Sequence, residues 1–142
     1  MAKNSKVVTW EDDGGFTVVL PFPPTPASRP RVTKWGAYYT KTYKAYRELA
    51  EKAIPVSRQP VLKGRLQATA EFVCKRPKKI TRITPVGDID NYSKAVLDAI
   101  TGKKPNFKLY WIDDDQITHL IATKRYAELD EEPHTRIRIE PL

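Results

Sequence analysis

The sequence holds a single cysteine, Cys74, among 142 residues. No internal disulfide framework and no multi-cysteine zinc site can be built from it. Its neighbours Phe72 and Val73 read as a buried strand, so Cys74 is expected as a small core residue. Histidine is almost as scarce. His119 and His134 are the two present, and neither stands at metal-ligand spacing from a partner. A histidine-centred mechanism is therefore set aside, and so is a cysteine nucleophile, which lacks a paired base near Cys74. No apolar run approaches the ~20 residues of a spanning helix. Residues 1–10 lack the apolar stretch of a secretory signal. These gaps favour a reducing cytoplasm and no membrane partner.

What is abundant is positive charge. Twenty-five Lys and Arg stand against 17 Asp and Glu, for a formal net charge of +8. Such a balance favours an anionic partner and is indifferent to fold. Two stretches concentrate it. The first begins at Arg29 and Arg31 and runs through residues 34–65. The second is Lys75, Arg76, Lys78, Lys79 and Arg82. Both suit phosphate contacts that weaken steeply with salt. For any one lysine a plain solvated surface is the better explanation. Trp35, Tyr38 and Tyr39 are candidates to stack on exposed bases, although a core role is open to each.

A hydrophobic share of 40% supports one modest core, and the length suits one domain. Residues 1–15 are expected as a flexible N-terminal tail or turn, and residues 16–142 as the folded domain. Phe16 to Leu20 is strand-like, and Pro21, Pro23, Pro24 and Pro26 then block any regular ladder. Thr40 is placed to cap a helix over Lys41 to Ala53, with Tyr43, Tyr46, Leu49, Ala50 and Ala53 on one stripe, ended by Pro55. Residues 66–73, 117–123 and 135–139 read as strands. A second helix over residues 91–100 has Asp88 or Asp90 as its cap and Gly102 as its stop. Interspersed strands and helices give an α/β fold: a single compact domain with a mixed β-sheet packed against two main helices.

Acidic residues gather at two places in this basic chain: Asp88-Ile89-Asp90-Asn91 and Asp113-Asp114-Asp115-Gln116. Magnesium is held by carboxylate oxygens and waters at ~2.1 Å, drawn from separate parts of a chain. Asp88 and Asp90, two apart on an extended segment, would project to one side. Asp114, just before the strand at Ile117, could be brought to them by the sheet. Lys94 falls one helical turn after Asp90, and Asn91, Lys94 and Asp98 share a polar stripe. The plainer readings carry equal weight. Asp-x-Asp before a helix is ordinary capping, Asp90–Lys94 is an ordinary surface pair worth about 0.3–0.5 kcal/mol, and Asp113 to Asp115 suits a solvated turn. A restriction-type nuclease fits poorly, because it wants an acid-x-Lys element and the nearest lysine, Lys94, falls four residues after Asp90.

The run Asp88-Ile89-Asp90-Asn91-Tyr92-Ser93-Lys94-Ala95-Val96-Leu97-Asp98-Ala99 resembles the D-x-D-N-x-x-K-x-x-x-D-A signature of the RusA family of Holliday junction resolvases. The later Trp111-Ile112-Asp113-Asp114-Asp115-Gln116 is similar to the family's aromatic, paired aspartate and glutamine. Leu20-Pro21-Phe22-Pro23-Pro24 looks like its proline-rich start. The resemblance spans about residues 16 to 140, with two separated motifs in order. It implies a magnesium-dependent homodimer, with manganese as a substitute, that resolves four-way DNA junctions in bacterial or phage-infected cytoplasm. It assigns metal binding to Asp88, Asp90 and Asp114, with Asp113 a further candidate. Lys94 becomes a catalytic support, and Asn91 and Asp98 are secondary. The rival expectation is a non-catalytic basic DNA-binding module, which leaves the aspartates without a task.

Overall fold

The computed structural model describes residues 7–28, 31–34, 36–38, 40–103 and 105–142, with backbone alone for residues 31–33 and 36–38. In chain order the elements are β1 (Val8–Trp10), β2 (Phe16–Leu20), β3 (Arg31–Thr33), β4 (Gly36–Tyr38), α1 (Lys41–Ala53), β5 (Leu66–Cys74), α2 (Ile89–Thr101), β6 (Gly102–Lys103), β7 (Asn106–Phe107), β8 (Ile117–Tyr126) and β9 (His134–Pro141). A short 3-10 turn, Asp114–Gln116, precedes β8.

Five strands form one sheet in the order β1-β2-β9-β5-β8. All pairs are antiparallel except β5 with β8, so the sheet is mixed. The parallel pair is joined through α2, a βαβ unit. Two-residue alternation sorts the faces. Leu66, Ala68, Ala70 and Phe72 of β5 are buried, as are Ile137 and Ile139 of β9. Gln67, Thr69 and Glu71 point to the opposite, open face. The single domain is thus two layers, with the core between sheet and helices.

The helices begin and end where local chemistry dictates. Thr40 is extended, and its hydroxyl accepts the Tyr43 amide at 3.3 Å. Tyr43, Tyr46 and Ala50 are buried, but Leu49 is 49% exposed. It lies about 120° around the helix from Tyr43, at the rim of the stripe, so it does not belong to the expected core face. Helix α2 starts two residues earlier than the pattern suggests, with Asp88 as N-cap. Gly102 closes it at φ +77°, and a Cβ there would lie 2.5 Å from the Asn106 carbonyl oxygen. That close approach starts the β6–β7 hairpin, which pairs Gly102 with Phe107 and Lys103 with Asn106.

The expectation of a flexible tail over residues 1–15 is corrected for Val8–Trp10. These residues pair with Val18, Thr17 and Phe16 as β1. Trp10 is what holds them. Its ring sits 4.7 Å from Phe16 and stacks at 6.0 Å on Tyr110, and such aromatic pairs stabilise beyond their buried area. Glu11 to Gly15 is the turn between β1 and β2, closed by the Glu11 amide donating to the Gly15 carbonyl at 2.8 Å.

Candidate metal and nucleic-acid site

Asp88 and Asp90 sit at the N-terminal end of α2, beyond the carboxyl ends of β5 and β8. Ligands of α/β sheets commonly bind there. Asp88 has extended backbone and stands at the N-cap, yet its carboxylate makes no capping hydrogen bond. Both aspartates are exposed. Asp90 lies in the first helical turn rather than on an extended segment, and its Oδ1 accepts the Asn91 amide at 3.0 Å. The two carboxylates therefore share the helix end but not a strand face.

The segment that delivers Asp88 is fastened from three sides. Tyr92, one turn into α2, donates its hydroxyl to the Val86 carbonyl at 2.6 Å. Tyr126 donates to the Thr84 carbonyl at 3.0 Å. Lys124 donates its ammonium to the carbonyls of Pro85, at 2.9 Å, and Gly87. Gly87 itself has φ +105°, and a Cβ would meet Pro26 Cγ and Tyr92 Cε2 at 3.0 Å, so a side chain there would strain the backbone and crowd both rings. Burial pushes the Tyr92 hydroxyl well above its ordinary pKa, which keeps it a donor at all working pH values.

Asp114 is held elsewhere. Its Oδ1 accepts from Trp111 Nε1 and from Thr101 Oγ1, both at 2.9 Å. Thr101 is the last residue of α2, whereas Asp88 precedes the first. The helix has 13 residues, about 18 Å of axis. Asp113 caps the 3-10 turn: its Oδ1 accepts the Asp115 amide at 3.0 Å, and Gln116 Oε1 accepts the Asp113 amide at 2.9 Å. The plain capping reading therefore holds for Asp113. Among the described residues no three His, Cys, Asp or Glu side chains gather where they could hold a metal ion. One chain alone does not fit the expected magnesium site.

Lys94 lies one turn beyond Asp90 and pairs with Asp98 at 3.3 Å. Asp98 also stands 4.0 Å from Arg47 of α1, so it bridges the two helices. The Asn91 carbonyl accepts the Ala27 amide at 2.8 Å, which ties the proline-rich segment to the helix. The basic segment over residues 75–82 leads from β5 to Asp88, and all its cations are exposed. Arg76 is anchored to the Ala127 carbonyl at 3.3 Å. Lys75, Lys78, Lys79 and Arg82 flank the acidic helix end along the chain. Arg29, Trp35 and Tyr39 lie outside the described residues, as do the side chains of Arg31 and Tyr38.

Sequence reasoning gave no positioning role to Lys124, Tyr92, Thr101 or Trp111. Lys124 had a usable signal. It continues the inward alternation of Leu120 and Ala122 along β8, and an inward lysine at a strand end needs an acceptor. Cys74 is buried as expected, with its thiol 3.8 Å from the Tyr92 hydroxyl. No helix among the described residues is long and apolar enough to cross a membrane.

A strongly basic two-layer domain with exposed carboxylates beside a cationic loop has a charge pattern suited to nucleic-acid phosphate. The family model for the endodeoxyribonuclease RusA matches residues 21–140, and the chain belongs to that family. It is accordingly a nuclease of the hydrolase class. No curated protein matches the chain at a significant level.

Proposed function

We propose that the protein is a magnesium-dependent, structure-selective endonuclease that resolves four-way DNA junctions as a homodimer. One observation carries the reading. A chain of this family presents Asp88 exposed and without capping duty at the head of α2, immediately after a run of lysines and arginines. Asp114 is fixed about 18 Å away at the tail of the same helix. A complete site therefore takes Asp88 and Asp90 from one chain and Asp114 from a second. Two-fold symmetry supplies two such sites, matching the two opposed cuts that a near-symmetric junction requires.

Bound magnesium would supply charge neutralisation at the phosphate and a more acidic water. The chain's own residues do the remaining work. Lys94 places a cation one turn from Asp90, where negative charge builds on the phosphate. The cations of residues 75–82 hold the strand. The fastened segment over residues 84–88 fixes the carboxylate of Asp88 before substrate arrives.

The test uses Asp90→Asn and Asp114→Asn. Each variant alone should lose cleavage while retaining junction binding, because a negative charge facing phosphate has been removed. Mixed dimers of the two variants carry one doubly altered site and one intact site, so they should regain nicking. A mixed preparation as inactive as its parents would refute the shared site. The second reading, a basic binding module without catalysis, draws on the separation of the acids within one chain. It requires that the unaltered protein bind junctions and leave them uncut in magnesium.

A further inference from the structure

We infer that Ile83 is an apolar wedge that enters the opened base stack at the branch point of the DNA. This deepens the reading above, on which it rests, by naming the side chain that senses the branch.

Ile83 is 97% exposed, and Val86 and Ile80, three residues to either side of it, are 67% and 42% exposed. Single apolar residues on a surface are ordinary. Three in one short stretch call for a partner that covers them. Residues 75–87 also carry Lys75, Arg76, Lys78, Lys79 and Arg82, and no acidic residue. The partner is therefore anionic outside and apolar within. Stacked bases behind a phosphate backbone have both properties. An acidic bilayer has them too. The exposed carboxylates of Asp88 and Asp90, which follow directly, decide for DNA. They would be repelled by an anionic bilayer, whereas in a chain of an endodeoxyribonuclease family they have a metal to hold.

Ile83 is set in place before any substrate arrives. The carbonyl of the next residue, Thr84, accepts the Tyr126 hydroxyl at 3.0 Å and Arg82 Nε at 3.4 Å. The two neighbours of Ile83 are thus tied to each other and to β8. Pro85 holds Thr84 to extended backbone, and the Val86 carbonyl accepts the Tyr92 hydroxyl at 2.6 Å. A side chain displayed on a fastened segment loses little freedom on binding, so its burial is retained as affinity.

The wedge also accounts for selectivity. In continuous duplex an inserted side chain must first unstack a base step, which opposes entry. Where strands exchange, the stack is already interrupted, and that cost is smallest. The cations of residues 75–82 hold phosphate on either DNA, whereas Ile83 is buried only at a branch. Affinity then comes from charge, and structure selectivity from one apolar side chain.

The test uses the full chain in EDTA, so that no DNA is cut. A four-way junction and a matched linear duplex each carry 2-aminopurine at the central step, where unstacking raises its fluorescence. The wild type should raise the signal on the junction and not on the duplex. Ile83→Ser should lose that rise and lower the ratio of junction to duplex affinity roughly ten-fold, as expected for one isoleucine no longer buried. Ile83→Leu should restore both. Lys79→Gln should instead weaken binding to both DNAs alike and reduce the salt slope by about 0.9. A wild-type ratio and signal from Ile83→Ser, or no rise with the wild type on the junction, would overturn the wedge. Wild-type binding to phosphatidylserine vesicles that Ile83→Ser abolishes, with the DNA ratio unmoved, would assign the surface to a bilayer instead. If the signal depends on Ile83 but the wild type leaves junctions uncut in magnesium, the wedge stands and the nuclease reading is wrong. If junctions are cut and the signal is absent, the nuclease reading stands and the wedge is wrong.

Discussion

Replacing Lys124 by Met separates the positioning of the acidic loop from the charge of the DNA surface. The ammonium of Lys124 donates to the carbonyls of Pro85 and Gly87, on the segment that ends at Asp88. Methionine keeps most of the stem's volume and removes both bonds. A hydrogen bond involving a charged group contributes about 1.5–3 kcal/mol. Lys124 is only partly buried, so water can satisfy one carbonyl in its place, and a net loss of about 1.5–3 kcal/mol is expected for the pair together. At this chain length that corresponds to a fall in Tm of roughly 5–10 °C, read by thermal denaturation. The cleavage rate on a four-way junction should fall further than the stability change explains at a temperature where the variant is folded. Junction binding should change little, because this cation faces the loop and not the surface. Tyr126→Phe removes the bond to the Thr84 carbonyl and should move both readouts in the same direction by a smaller amount. If Lys124→Met melts like the wild type and cuts at the wild-type rate, the loop is held by something else and the account of how Asp88 is positioned is wrong.

Three further outcomes follow from local contacts. Thr101→Val and Trp111→Phe each remove one of the two donors to Asp114 Oδ1; each should cost about 1–2 kcal/mol in a denaturant melt and reduce cleavage, whereas unaffected cleavage in both would remove Asp114 from the site. The Cys74 thiol is pushed up by burial, partly offset by the Tyr92 hydroxyl and Lys124, so iodoacetamide at pH 8 should label the native chain far more slowly than the denatured one. Glu131 is held down at about 2, well below the ordinary glutamate carboxyl, first by its hydrogen bond from Arg125 and then by the Glu128 amide. Its native pKa lies below the unfolded one, so its contribution is fully present above about 4.5 and is lost as pH falls towards 2; Glu131→Gln should flatten the acid limb of the stability curve there, and an unchanged limb would remove that carboxylate from the balance.

Much of the fold was legible because its signals are local. Thr40 before Tyr43 and Tyr46 announces α1, and Gly102 marks the end of α2. Alternation in β5 separates Leu66, Ala68 and Ala70 from Gln67, Thr69 and Glu71. Strand β1 was not legible. Val8 to Trp10 is short and flanked by polar residues, and it is held by Trp10 against Phe16 and Tyr110, a contact across 100 residues that no window can register. The aspartates were legible as residue types but not as a constellation. Spacing suggested that the sheet would bring Asp114 to Asp88 and Asp90. What decides the matter is that the 13 residues of α2 lie between the two motifs, with Thr101 binding Asp114 at the far end. A rigid helix fixes that distance, whereas the sequence order of the motifs only permits a meeting.

That helix couples metal binding to assembly. On the shared-site reading, one chain offers two carboxylates at the head of α2 and one at the tail, and neither group is a full ligand set. Bringing them together across a dimer axis places like charges side by side, which opposes association unless a cation sits between them. Magnesium should therefore tighten the dimer as well as permit cleavage, and dimerisation should tighten magnesium binding by the same factor, since linkage is reciprocal. At a magnesium concentration 100-fold above its dissociation constant each site adds about 2.7 kcal/mol to the assembled state. Sedimentation across a magnesium series, with EDTA as the zero point, reads this directly, and Asp114→Asn should abolish the magnesium dependence and, with one repelling charge gone, leave a dimer tighter than the wild type in EDTA. A dimer whose dissociation is indifferent to magnesium, in a protein whose cleavage still requires it, would mean that each metal site is completed within one chain and that α2 does not part the ligands.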